Sequence, residues 1–383
     1  MSSWTSWIKD TAQSTLSVVA GTAEPIYGPE ALHSVALQED QNPKYEVKNE
    51  DLHWRVQNST AAETQTWYIQ CNNGHYAIVQ IIYTNVSNIH ITAQFNLKVF
   101  HPDGTFSWST KPLSNYEFDE EKRSFYADDL SITLSEDYQT YNIKSVVDPD
   151  ALVDMKITRV APAFMVGKDG RTNYGTDPKN PWGCIRHLFW PRVMAEGAVV
   201  CKGQKIETTG QGMFVMALQG MKPHHAAAAW DFLTFQSPKY SAVMMQFKTP
   251  PSYGSSVVNV SGITTPDSLV AASTKGTVEH YETKTDEVTE WPEPTALRYT
   301  WRGKTQDGKD VEGVIEGKLD APRKDRVDFL AEVPQIIKSI VGGVVGTKPF
   351  IYQYSQPMKL KLKIGDETIE EEGTIFAEAT FIS

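Results

Sequence analysis

The chain has 383 residues, 40% of them hydrophobic, with 10 Trp, 16 Tyr and 15 Phe and a formal net charge of −11. That length suits two domains with sizeable cores. An acidic chain without clustered Lys and Arg excludes nucleic acid as the main partner and disfavours tight adsorption to anionic lipid.

The first element in chain order is an amphipathic helix over residues 1–21. Trp4, Trp7, Ile8, Leu16, Val18 and Val19 share one face, the other is mostly Ser, Thr and Gln, and Gly21 is a stop signal. Such a helix either caps the fold or lies reversibly in a membrane interface, and its position ahead of a Pro-rich stretch favours the membrane. Residues 22–49, with Pro25, Gly28, Pro29 and Pro43, read as a linker.

Residues 50–210 then read as one all-β domain and 211–383 as a second. Runs rich in β-branched and aromatic residues occur at 64–70, 75–84, 91–100, 131–134, 139–147 and 152–160, with hairpin signals at Asn72-Asn73-Gly74 and Pro102-Asp103-Gly104. A second series begins near Gln211 and covers 213–219, 230–236, 242–248, 257–262, 297–301, 311–317, 350–354, 359–364 and 374–382. Short strands in this number favour barrels or sandwiches. Trp67-Tyr68-Ile69-Gln70 followed by Tyr76 is echoed by Trp230-Asp231-Phe232-Leu233 followed by Tyr240, which points to a duplicated barrel. Residues 275–295 read as a polar excursion, and 333–345 as a short helix over a barrel mouth or a plain core segment.

Motifs for chemistry are sparse. There is no Gly-x-Ser-x-Gly elbow, phosphate loop or His-Glu-x-x-His. The three cysteines, Cys71, Cys184 and Cys201, are odd in number and widely spaced, which suggests neither a disulfide framework nor a zinc site. No signal peptide, membrane span or lipidation motif is read. No metal or cofactor is expected. The segment from Trp182 to Arg192 gathers Trp182, Arg186, His187 and Trp190; it reads as a pocket or inter-domain seam, or, preferably, as a structural strand with Arg stacked on Trp. The segment holding His224, His225 and Trp230 reads as a domain junction, and Met216 belongs to a group of methionines suited to core filling or to a flexible ligand.

Longer stretches carry a resemblance. Thr66-Trp67-Tyr68, Val79-Gln-Ile-Ile-Tyr-Thr-Asn-Val86, Tyr174-Gly-Thr-Asp-Pro178, Phe189-Trp-Pro-Arg192, Ala217-Leu-Gln-Gly-Met-Lys-Pro-His-His-Ala-Ala-Ala228, Trp291-Pro-Glu-Pro294 and the ending Glu378-Ala-Thr-Phe-Ile-Ser383 are similar to the fungal survival factor family. The resemblance covers essentially the whole chain. It implies two lipocalin-like barrels in tandem, no enzymatic activity, ceramide binding, and ceramide transfer from the endoplasmic reticulum to the early Golgi in support of sphingolipid synthesis and survival under oxidative stress. It also implies a cytoplasmic protein held peripherally at endoplasmic reticulum and cis-Golgi membranes, with the nucleus as a second compartment, and a membrane helix that begins at an acetylated Ser2. It assigns no ceramide contacts. The rival is a hydratase- or cyclase-like enzyme on a duplicated lipocalin fold, with His187, His224 or a buried Asp as acid or base.

Overall fold

The computed structural model describes residues 25–328 and 348–383. The amphipathic helix expected over 1–21 and the apolar segment 333–345 lie outside the described residues.

Two curled antiparallel sheets make up the described protein. The first contains β1 (Leu32–His33), β2 (Ala61–Cys71), β3 (Tyr76–Val86), β4 (His90–Phe100), β5 (Phe106–Pro112), β6 (Glu117–Phe118), β7 (Phe125–Ala127), β8 (Leu130–Leu134), β9 (Thr140–Ser145), β10 (Ala151–Arg159), β11 (Arg171–Tyr174), β12 (Gly183–Cys201), β13 (Gln204–Glu207) and β14 (Gly210–Gln219). Its main path runs β5-β4-β3-β2-β14-β12-β10-β9-β8-β7-β6. The second contains β15 (Ala229–Gln236), β16 (Ser241–Lys248), β17 (Val257–Thr264), β18 (Leu269–Ser273), β19 (Thr277–Thr285), β20 (Pro292–Lys304), β21 (Asp310–Lys318), β22 (Asp325–Asp328), β23 (Phe350–Ile364) and β24 (Glu367–Phe381), on the path β18-β17-β16-β15-β24-β23-β21-β20-β19. Both curl far enough for distant strands to meet. Ser109 and Lys111 on edge strand β5 reach Asp148 beyond β9, at 2.6 and 3.4 Å. Ser273 on edge strand β18 donates to the Arg302 carbonyl of β20.

The two paths repeat one topology: a four-strand meander whose first strand pairs with the last strand of its sheet, β2 with β14 and β15 with β24. The duplication suggested by the Trp echo is therefore present in the strand order, but the two Trp are not equivalent. The hairpins close through Cys71 N to His75 O and Ser237 N to Tyr240 O. That register sets Trp67 against Leu233, and Trp230 falls three residues earlier.

Three expectations shift. The strand Gly210–Gln219 closes the first sheet instead of opening the second, so the seam follows Gln219 and not residue 210. From residue 25 the expected linker is packed: Ala31 and Val35 are buried, β1 pairs with β11, and Tyr27 N donates to Ser252 O at 2.8 Å. Part of the polar excursion is edge strand β19; its charged residues suit a strand with one open side.

Candidate functional site

Strand β12 divides three of the sequence candidates, Arg186, His187 and Trp190, between two faces. Side chains alternate along a strand, so Arg186, Leu188 and Trp190 enter the first sheet's interior while Ile185, His187 and Phe189 turn toward the second sheet. Pro191 would remove a ladder donor from a central strand. The register shift between Trp190 and Val193 accommodates it.

The interior is built in cross-strand rows. Trp67 of β2 faces Phe214 of β14, which faces Trp190 of β12; one row along, Gln65 faces Met216, which faces Leu188. From β9, Tyr141 reaches this patch, its ring 5.1 Å from Trp67, 5.2 Å from Trp190 and 5.1 Å from Phe214. Arg159 of β10 lies over the Trp190 ring at 5.5 Å, so the Arg–Trp stacking expected within 182–192 comes from another strand. Arg186 is fastened to the backbone oxygens of Asp51 and Asp169, both at 2.9 Å. Burial, helped by Arg55, pulls its guanidinium down to about 10. Glu63, buried nearby, accepts from the backbone N–H groups of Arg55 and Val56, yet burial still raises its carboxyl.

Between the sheets lies an aromatic seam. Tyr76 stacks on Phe376 at 4.6 Å, and Tyr68 meets Phe232 at 4.9 Å. Lys98 of β4 pairs across the seam with Asp325 of β22 and donates to Gln353 Oε1 at 2.9 Å. Gln353 passes the chain to Glu378 at 2.7 Å, and the Tyr68 hydroxyl returns it to the first sheet. Burial raises the Glu378 carboxyl above the usual range. At one margin Trp182 is 44% exposed, packs on Tyr27 and donates to Tyr253 OH at 3.0 Å. Trp230 is half-buried against the seam.

His187 and His224 are poor acid–base groups at neutral pH. Burial, reinforced by Arg186, lowers His187 to about 4, and burial with His225 lowers His224 to about 4. His224 and His225 lie on the four-residue helix Pro223–Ala226, rings 4.2 Å apart. The structure thus brings Arg186, Trp190 and Met216 together inside the first sheet, and places Trp182, His187, His224, His225 and Trp230 outside that interior. Sequence reading missed Gln65, Tyr141 and Phe214. The alternation Glu63, Gln65, Trp67, Ile69 was the available signal for β2, whereas nothing local ties Tyr141 to it.

The Svf1 family profile matches residues 6–383. This chain belongs to the Svf1 family. Two Svf1 relatives, each named a ceramide-binding protein, are those of Emericella nidulans and Neurospora crassa. The first is 50% identical, covering 98% of this chain and 100% of its own length. The second is 51% identical, covering 97% and 99%. Among solved structures, CghA with Sch210972 is similar at a TM-score of 0.60 and 10% identity over 92% of this chain and 98% of its own. At that identity the likeness extends the Svf1 fold to distant proteins and says nothing of shared chemistry.

Proposed function

We propose that this protein binds ceramide inside a lipocalin-like barrel and carries it, without chemical turnover, from the endoplasmic reticulum to the early Golgi. The observation that carries the reading is the near-full-length identity to relatives named for ceramide binding. The apolar inner faces of the two curled sheets support it. A ceramide has two long chains and a small uncharged head. Each buried methylene contributes about 0.8 kcal/mol, so an apolar interior with a few hydrogen bonds can hold it without a charged clamp. Purified protein offered mixed vesicles should take up ceramide in preference to phosphatidylserine. Equal uptake of both, or of neither, would contradict the proposal.

In this account the two sheets act as tandem lipocalin-like barrels, and the N-terminal segment contacts membranes reversibly. Trp4, Trp7, Ile8 and Leu16 insert, while Lys9 is the segment's one basic side chain. Docking is then apolar and little affected by salt. Ile8→Glu should shift the protein from the membrane fraction to the cytosol on cell fractionation, with an unchanged melting temperature. Retained membrane association would rule out this docking role. Support of sphingolipid synthesis and of survival under oxidative stress would follow from delivery.

A further inference from the structure

The first sheet's interior carries hydrogen-bonding capacity that the described protein does not use. Trp67 and Trp190 are fully buried, and neither indole N–H has a partner. Gln65, also fully buried, places its Nε2 at 3.3 Å from Tyr141 OH and leaves Oε1 unpaired. Turning the amide over would only exchange which of its two polar atoms is left over. Buried polar groups are nearly always paired, because an unmade bond costs about 1–3 kcal/mol. Here two donors and one acceptor, on β2 and β12 to either side of β14, stand around Tyr141. Trp54, against Phe118 and Phe125 in the same interior, adds a third unpaired indole.

The second sheet is a built-in comparison. Its equivalent row, by the register that matches Cys71 with Ser237, is Leu233, Ala377 and Tyr354, which contains no indole. Its large inward aromatics are spent within the protein: Trp301 Nε1 donates to Val243 O at 2.9 Å, and Tyr299 OH to Phe232 O at 3.4 Å. Tyr354 OH reaches Glu293 at 3.2 Å. Three orphans, Asn259 Oδ1, Thr264 Oγ1 and Thr380 Oγ1, remain on strands of the second sheet, and none of them is an indole.

We infer that Gln65, Trp67, Tyr141 and Trp190, inside the first sheet, form the site that reads the polar head of the lipid, and that this head is a neutral amide. The inference rests on the chain being a ceramide binder and adds which sheet holds the head and by which atoms. An amide carbonyl has two lone pairs and can accept from both indoles; an amide N–H or a hydroxyl can donate to Gln65 Oε1. The two hydrocarbon chains then lie along the apolar rows that flank the patch, past Ile69, Leu188 and Met216, where methionine yields to flexible ligands.

The test uses full-length protein and a long-chain ceramide presented in neutral vesicles, with bound lipid measured by mass spectrometry per folded protein. Trp67→Phe with Trp190→Phe removes both N–H donors and keeps apolar rings, and affinity should fall roughly tenfold or more. Trp301→Phe, in the second sheet, should leave affinity unchanged. Where the double variant folds poorly, wild-type protein labelled with nitrogen-15 supplies the answer: ceramide should move the indole N–H signals of Trp67 and Trp190 and leave that of Trp301. Unchanged affinity in a folded double variant, or a response confined to Trp301, overturns this assignment while ceramide binding stands. A wild type that takes up no ceramide overturns the ceramide reading, and the assignment falls with it.

Discussion

Asp325→Ala should destabilise the protein by about 3–5 kcal/mol, because it withdraws the carboxylate from a buried ammonium and leaves the charge in place. Lys98 is buried, lies 4.4 Å from the Trp108 ring centre and 5.0 Å from that of Phe106, and is held to the second sheet through Asp325 and Gln353. Its desolvation is tolerated only while its charge is paired. Combining Lys98→Met with Asp325→Leu removes both charges and keeps the volume, and should recover most of the loss. Urea unfolding of the single and double variants measures this as a coupling energy. Additive losses would mean that the pair is not what spans the seam.

The second large effect belongs to β14. A Cβ at Gly212 would run into the Tyr68 carbonyl oxygen, with Ile69 Cδ1 at 2.9 Å, and one at Gly210 would meet the Gln70 carbonyl. Neighbouring backbone cannot step aside cheaply, so Gly212→Ala should cost more than about 4 kcal/mol. Soluble expression and thermal melting are the measurements. A variant that melts within a few degrees of the wild type would show that β2 and β14 are less closely coupled than their pairing implies. The strand carries Phe214 and Met216 between the rows of β2 and β12.

These same glycines show where the sequence stops being readable. Gly210-Gln211-Gly212 is a weak strand by propensity, and the second domain was expected to begin at Gln211. In the folded chain the missing side chains permit close approach between two strands, a contact that only long-range pairing reveals. Strand β12 is obscured in a similar way. The preferred reading of 182–192 as a structural strand holds from Gly183, but Pro191 and four charged or imidazole side chains, Arg186, His187, Arg192 and Glu196, hide its run to Cys201 as a 19-residue central strand, and the bulge at Trp190 is what makes it possible. Edge strand β19 is disguised by its exposed polar residues, since an edge needs no second apolar face.

What was legible was set by local rules. Runs of β-branched and aromatic residues found β2, β3, β4, β8, β9 and β10, and the turn signals at 72–74 and 102–104 fall between the strands they were expected to join. The aromatic echo led to a real repeat of strand order, although in the wrong register, because Trp67 aligns with Leu233. The candidate site was half legible. Residue type singled out Trp190 and Met216, which share the first interior, but it grouped them with His187 and Trp182, which the alternation of β12 and its N-terminal turn send elsewhere. Gln65 and Tyr141 are 76 residues apart in sequence and meet only when the first sheet curls.

The cargo proposed for the interior of this protein is ceramide. The most direct measurement is organic extraction of protein purified from its own cells, with the released lipid identified and counted by mass spectrometry. Ceramide is expected at a substantial fraction of one molecule per chain, depleted when the Trp67 and Trp190 indoles are both replaced by phenyl rings. Protein that yields only bulk membrane phospholipid, in proportion to its abundance in the cell, would contradict it.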